Sequence, residues 1–290
     1  MDNEMKQYEV LQWASLFLEK NNREPRVAEL LLQHHLGMSR NEFYMHMRET
    51  VPALIRSKFE ADIKEHAETG VPLQHIIGYE TFYGRDFHVN EHVLVPRPET
   101  EELVQHVIQI AKSNSKSDHP ITIVDVGTGS GIIAITLALE LPNATVYATD
   151  ISEEALAVAQ RNAAQLQANV TFLQGDFLQP VIVQNIKTDI VVSNPPYIPR
   201  SDEESLSDTV KHFDPELALF ADENGLAAYK KIISQLPSVI NAEGAAVAFE
   251  IGHDQGEIVT LLLNKQFPKS KVDVLQDING KDRMVVATDM

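Results

Sequence analysis

A chain of 290 residues with no cysteine and a formal net charge of −18 excludes several classes of chemistry before any motif is read. Disulfides, thiolate nucleophiles and thiolate zinc sites go together, and a surface this acidic is a poor general binder of nucleic-acid phosphates. The composition, 43% hydrophobic and 23% charged, is that of a globular chain with room for one large domain or two ordinary ones.

The opening Met1-Asp2-Asn3-Glu4-Met5-Lys6 lacks the basic-then-apolar pattern of a secretory signal. No uninterrupted apolar run is long enough to span a bilayer. Together with the missing cysteines this fits a reducing compartment, so a cytoplasmic location with no membrane association is expected.

The chain to about Ile77 reads as helices. Tyr8, Leu11, Trp13, Ala14, Phe17 and Leu18 fall mostly on one helical face. Pro25 suits a first turn leading into Val27, Leu30 and Leu31. Ser39 and Glu42 have capping-box spacing, and Val51, Leu54, Ile55, Phe59, Ile63 and His66 follow a period near 3.6. A small helical bundle is expected over residues 1–78. From Thr81 the period changes. Thr81–Val89 reads as a hairpin turning at Gly84, which Val93-Leu94-Val95 extends, giving a linker over 79–97. Pro98 opens a helix through Glu101, Leu103, Val104 and Val107, followed by a polar loop at Ser113–Asp118.

From Ile121 strands and helices alternate. Strands are predicted at Ile121–Val126, Thr145–Thr149, Val170–Leu173, Asp189–Ser193 and Ala245–Ile251. Helices are predicted at Ser130–Glu140, Ser152–Leu166, Gly225–Leu236 and Gln255–Gln266. Alternation implies a mainly parallel sheet with helices on both faces, here over residues 98–290. The last two strands, Lys271–Leu275 and Arg283–Ala287, are joined across Asn279-Gly280 with no room for a helix. They are expected as an antiparallel hairpin at one edge.

Two stretches carry chemistry. The first is Gly127-Thr128-Gly129-Ser130-Gly131, between a strand and a helix. Glycines there permit positive φ and close approach of a ligand, but the spacing departs from the pyrophosphate-binding G-x-G-x-x-G. Asp150 ends the next strand and can accept hydrogen bonds from ribose hydroxyls; a helix N-cap is the other reading, with Ser152 competing for it. Asp176 can accept from an adenine amino group and Phe177 can pack on the ring, or the pair is a turn and a core aromatic. No second phosphate-binding feature is present. An adenosyl ligand without pyrophosphate fits, and S-adenosylmethionine is such a ligand.

The second stretch is Asn194-Pro195-Pro196-Tyr197 after the fourth strand. Two prolines remove two backbone donors and leave carbonyls facing outward. The Asn194 side-chain oxygen and the Pro195 carbonyl can accept the two hydrogens of an NH2 group, and Tyr197 can stack on its planar system. Such a site orients an amide or aromatic amine nitrogen for in-line methyl transfer without a strong general base. No metal site is expected.

At these residues the chain resembles the class I S-adenosylmethionine-dependent methyltransferases with a seven-stranded Rossmann-like sheet. Asn194–Tyr197 is shared by enzymes that methylate glutamine amides and by those that methylate adenine N6. Pro72–Gly78, Phe82–Phe87, Val93–Glu101, Phe213–Leu219, Gly225-Leu226, Glu250-Ile251-Gly252 and Asp277–Arg283 resemble the peptide chain release factor glutamine N5-methyltransferases. His75 stands where that family commonly has an aromatic such as Tyr, and Phe177 where Trp often occurs.

The resemblance implies the glutamine of the Gly-Gly-Gln loop in bacterial class I release factors as substrate. It implies S-adenosyl-L-methionine as cofactor and S-adenosyl-L-homocysteine as product. It gives cofactor binding to Gly127–Gly131, Asp150, Phe177 and Asn194, and glutamine binding to Asn194–Tyr197, with Asn194, Pro195 and Tyr197 catalytic. The N-terminal bundle is implied to help hold the release factor. Arg97, Glu99 and Thr100 receive only a structural or lid role, and a monomer is expected.

Three other readings stay open. One is a sister enzyme acting on a ribosomal protein glutamine. Another is an adenine N6-methyltransferase, which the charge disfavours. The third is a non-catalytic cofactor-binding or interaction module. Asp202-Glu203-Glu204 reads either as a solvated loop or as a rim attracting basic residues.

Overall fold

The computed structural model describes residues 5–114, 120–241 and 244–290. Residues 115–118 of the expected polar loop and the first four residues of the chain lie outside these. The chain divides into two compact units, one of Met1–Tyr79 with Ser207–Phe213 and one of Glu80–Leu206 with Asp214–Met290.

The first unit is helical: α1 (Gln7–Lys20), α2 (Arg26–Leu36), α3 (Arg40–Met45), α4 (Ala53–Thr69) and α5 (Leu73–Ile77). Its core joins Val10, Ala14 and Leu18 of α1 to Leu31, Leu32, Phe43, Phe59 and Ile63. The buried stripe of α1 differs from the expected face. Gln7 replaces Tyr8, its amide donating to the Phe43 carbonyl at 2.7 Å, while Tyr8 is exposed. Leu54 is also exposed, one turn before the stripe that buries Phe59 and Ile63. The capping box holds: Ser39 N donates to Glu42 Oε2 at 2.9 Å, and Ser39 Oγ accepts from Glu42 N at 3.4 Å. Ser207–Phe213 joins this unit through Thr209 Oγ1, which donates to the Gly70 carbonyl at 3.0 Å, and through an edge contact of Phe213 with His75.

A hairpin follows, β1 (Tyr79–Phe82) and β2 (Arg85–His88), all but its first residue belonging to the second unit. Its turn residues Tyr83 and Gly84 both have positive φ, as a two-residue primed turn requires. Val93–Val95 forms no strand. Pro96 and Pro98 break the ladder there, and Val93 instead packs with Val89 against Ala155 and Val158.

Then come α6 (Glu99–Asn114), β3 (Thr122–Val126), α7 (Ile132–Glu140), β4 (Thr145–Asp150), α8 (Glu153–Leu166), β5 (Val170–Gln174), α9 (Gln179–Val183) and β6 (Ile190–Ser193). A 3-10 turn at Arg200–Ser205 leads to α10 (Asp208–Phe213), the segment that joins the helical unit. The remainder is α11 (Glu216–Leu219), a kinked α12 (Asp222–Gly225), α13 (Ala227–Gln235), β7 (Ala246–Glu250), α14 (Gly256–Gln266), β8 (Lys271–Gln276) and β9 (Asp282–Thr288).

The sheet order is β5-β4-β3-β6-β7-β9-β8. Pairing is parallel from β5 to β7 and antiparallel at β7–β9 and β9–β8, which gives the expected closing hairpin. Period-2 alternation builds two cores. Ile123, Ile190, Val192 and Ala248 face α6 and α7, while Val124, Val191, Val247 and Phe249 face α9, α13 and α14.

Candidate active site

The chain runs outward from β3 through β4 and β5, then returns to place β6 on the other side of β3. That reversal opens a crevice at the carboxyl ends of β3 and β6. The glycine loop and the Asn194 tetrad therefore meet. Ser193 Oγ ties the two strand ends by donating to the Val126 carbonyl at 2.6 Å.

A cavity of about 530 Å³ occupies this crevice. Gly127, Thr128, Gly129, Ser130, Asp150, Asp176, Phe177, Asn194 and Pro196 line it; Gly131, Pro195 and Tyr197 do not. The loop is folded over β4 by the Gly127 and Thr128 amides, both donating to the Thr149 carbonyl at 2.9 Å. Gly127 and Gly129 have φ of 72° and 54°. A Cβ built on either meets no atom within 4 Å, so both glycines border open space that a ligand can fill. Gly131 is different. A Cβ there would lie 2.8 Å from Ile135 Cδ1 and 3.0 Å from Ala159 Cβ, so its smallness seats α7 on α8.

Asp150 accepts from the Gly129 amide at 2.9 Å with one carboxylate oxygen and from the Ser152 amide at 3.0 Å with the other. Each oxygen keeps a lone pair for a hydroxyl. Burial raises its pKa, against the pull of those amides. The N-cap of α8 is Ser152, whose Oγ accepts from Ala155 N at 3.0 Å, so Asp150 has no capping role. Asp176 pairs with Lys231 on α13, and that ammonium also lies over the Phe177 ring, 5.8 Å from its centroid.

Beneath the loop, Asp125 is fully buried. Its Oδ2 accepts from Thr128 Oγ1 at 2.6 Å and from Ala134 N in the first turn of α7 at 3.2 Å, while Oδ1 has no partner. Burial pushes its pKa up to about 7, with the Asp150 charge adding to the rise.

The tetrad is held by residues far away in sequence. Thr100, on α6, donates from Oγ1 to Glu250 Oε2 at 2.7 Å and accepts from Asn194 Nδ2 at 3.5 Å. Glu250 ends β7 and is 2% exposed. Burial raises its pKa to about 7, against the Thr100 hydrogen bond and the Arg283 charge. Gln255 donates from Nε2 to the Tyr197 carbonyl, and that carbonyl packs so closely on Gly225 that a Cβ there would sit 2.1 Å from the oxygen. Tyr197 is half-buried, and burial, then Glu250, raises its hydroxyl pKa. Arg97 donates to Asp214 at 2.9 Å, a structural clamp.

Sequence reasoning did not assign Glu250, Gln255 or Lys231 to the site. The signal for Glu250 was present: a lone carboxylate closing the apolar strand Ala246–Glu250. Such an acid needs buried partners, and Thr100 is one.

Residues 117–279 match the family model described as a methyltransferase domain, and residues 9–78 match the PrmC N-terminal domain. The release factor glutamine methyltransferase of Bacillus cereus is 48% identical over 283 residues, covering 98% of this chain and 99% of the relative. That of Bacillus subtilis is 46% identical over 280 residues, covering 97% and 96%. Among solved structures, the catalytic domain of hMettl16 in complex with MAT2A 3'UTR hairpin 6 aligns with a TM-score of 0.55 at 14% identity. It covers 83% of this chain and 84% of that one, a likeness of fold alone.

Proposed function

Because this chain belongs to the release factor glutamine methyltransferase family, we propose that it methylates the side-chain amide nitrogen, N5, of a release-factor glutamine. The substrate on this reading is the glutamine of the Gly-Gly-Gln motif in bacterial class I release factors, and the methyl donor is S-adenosyl-L-methionine. The observation that carries it is Asn194 at the wall of the cavity that the glycine loop and Asp150 also line.

The cavity residues fit that cofactor. Its volume, about 530 Å³, falls within the roughly 300–1,000 Å³ of small-molecule pockets. Gly127 and Gly129 leave space where any other residue would place a Cβ. Asp150 is the acceptor for ribose hydroxyls, and Asp176 and Phe177 border the adenine position. When bound, S-adenosylmethionine supplies an electrophilic methyl on a cationic sulfur and leaves as S-adenosyl-L-homocysteine.

Asn194 Oδ1 and the Pro195 carbonyl accept the two amide hydrogens and hold them out of the amide plane, returning lone-pair density to nitrogen. Tyr197 packs on the planar amide. With these acceptors in place the amide nitrogen would take the methyl as the methyl's bond to sulfur breaks and would release one proton to solvent afterwards, so no strong base is required of this chain.

Residues 1–78 serve release-factor binding in this reading, 79–97 link, and 98–290 carry the methyl transfer. The match to the PrmC N-terminal domain over 9–78 supports that division. The enzyme acts as a cytoplasmic monomer on a protein, with no direct nucleic-acid contact. No helix among the described residues is long and apolar enough to cross a membrane.

The test is transfer of labelled methyl to purified release factor and to its Gln→Ala loop variant. Label on the first and none on the second is expected. Label persisting on the variant, or appearing instead on a ribosomal protein or an adenine oligonucleotide, sinks the reading.

A further inference from the structure

We infer that Glu250 and Thr100 are positioning residues that decide which edge of the Asn194 carboxamide faces the substrate. The inference rests on the reading above, in which Asn194 Oδ1 is an acceptor for the substrate NH2.

Hydrogen-bond arithmetic supports it. Thr100 has one hydroxyl hydrogen, and the short 2.7 Å contact commits that hydrogen to Glu250 Oε2. Its oxygen then offers Asn194 only lone pairs. Ionised Glu250 is likewise an acceptor with no hydrogen to give. Whichever end of the Asn194 amide faces this pair must be the NH2 end, as found at 3.5 Å. That contact is long and weak taken alone. Its effect is directional: it disfavours the flipped amide, which would set two oxygens against each other and turn a donor toward a substrate that needs an acceptor.

Proton uptake by Glu250 relaxes the constraint. A carboxylic acid carries a donor, which can pair with Asn194 Oδ1 and so admit the flipped amide. Glu250 is buried, and its pKa lies near 7, so this exchange falls in an accessible range. The charged and titratable groups facing it are Arg283 from β9, Glu99 from α6, Tyr197 from the tetrad loop and Tyr229 from α13. Arg283 is held by the Asp277 carboxylate at 3.3 Å and the Ile251 carbonyl at 3.3 Å, and its charge favours the ionised form. Glu99 opposes it. Both tyrosines have hydroxyl pKa values raised by burial, so they stay neutral across this range.

The experiment measures kcat and KM for release factor in Thr100→Val, Thr100→Ser, Glu250→Gln and Asn194→Ala across about pH 5.5 to 8.5. S-adenosyl-L-homocysteine affinity is measured by calorimetry in parallel. Thr100→Val removes both the donor and the lone pairs, and kcat is expected to fall by about 10- to 100-fold, the cost of misplacing a reacting group. Homocysteine-product affinity should stay within about threefold, well under one tenfold step of 1.4 kcal/mol. Thr100→Ser should restore kcat. Glu250→Gln presents an NH2 of its own, so it should lower kcat and lack the acid limb near neutral pH that is expected of the wild type.

Full kcat in both Thr100→Val and Glu250→Gln, with Asn194→Ala inactive, overturns the inference and leaves the proposed function standing. Loss of product affinity in step with kcat in Thr100→Val also overturns it, because Thr100 would then be cavity wall only. An active Asn194→Ala overturns the underlying reading of Asn194.

Discussion

The Gln255 side-chain amide donates to the Tyr197 carbonyl at 3.0 Å, across 58 residues of sequence. Its Oε1 accepts from the Gly252 amide at 3.0 Å. One carboxamide thus fastens the end of the reactive tetrad to the turn that follows β7. Gly225 completes the clamp, since no side chain fits against that carbonyl. Gln255→Leu keeps roughly the volume and removes these two hydrogen bonds together with the one Gln255 Oε1 accepts from the Tyr229 hydroxyl at 3.4 Å. It should cost about 1–3 kcal/mol, the penalty for buried polar groups left unpaired. It should also lower kcat by loosening Tyr197. Thermal unfolding and single-turnover rates check this; unchanged values for both would show that the tetrad is held by its own prolines.

The three glycines of the loop should separate into two behaviours. Gly131→Ala drives a Cβ into Ile135 and Ala159 at a φ of 84°. Overpacking of that kind costs about 1–3 kcal/mol, and left-handed strain adds about 1–2 kcal/mol, so the melting temperature should drop. Gly129→Ala meets no protein atom, so it pays only the strain. Its Cβ enters the space assigned to the cofactor, and S-adenosyl-L-homocysteine affinity should fall by more than about tenfold, or 1.4 kcal/mol. Calorimetry beside thermal denaturation distinguishes the two. Equal loss of affinity in both variants would place Gly131 in the binding loop proper.

The difference between those glycines was not legible in the sequence. The loop, the sheet and the closing hairpin were, because a buried parallel strand such as Ile190–Ser193 is a short apolar run, and Asn279-Gly280 between two such runs specifies a turn. What each loop residue meets depends on partners brought in by folding. Gly131 acquires its role from Ala159 on the next helix. Asn194 acquires its orientation from Thr100, 94 positions earlier, and Asp176 meets Lys231, 55 positions later. The Asp208–Phe213 helix carries no signal that it belongs with the N-terminal unit, because the Thr209 contact with Gly70 is made by a backbone carbonyl.

Asp176 and Lys231 form an exposed pair, 41% and 48% accessible by side chain, so Lys231→Ala should change stability by less than about 1 kcal/mol. The pair bears on binding instead. On the proposed reading, Asp176→Asn exchanges one acceptor oxygen for a donor facing the adenine amino group. It should weaken S-adenosyl-L-homocysteine binding by about tenfold, or 1.4 kcal/mol, whereas Lys231→Ala frees the carboxylate and should not weaken it. Titration of both variants checks the assignment. Weakened binding in Lys231→Ala with none in Asp176→Asn would give the adenine contact to the ammonium and the Phe177 face.

Asp125 makes stability depend on pH in a predictable direction. Its folded pKa is raised to about 7 from an ordinary value of 3.8, chiefly by burial. A carboxyl with a raised folded pKa binds its proton more tightly in the native state. The stability associated with that proton is fully present below the unfolded pKa and is lost as pH rises through the folded one. Asp125 therefore draws stability down between about pH 4 and pH 7. Asp125→Asn keeps an oxygen for Thr128 and Ala134 and cannot ionise. Relative to wild type, the variant should gain stability as pH rises through this window, at up to about 1.4 kcal/mol per unit of the shift. Glu250 slopes the same way in both proteins, so it cancels in the difference. Urea unfolding of wild type and Asp125→Asn at several pH values measures that difference. A flat difference across the window would mean that the unpaired Oδ1 is solvated in the folded protein and that Asp125 stays ionised throughout.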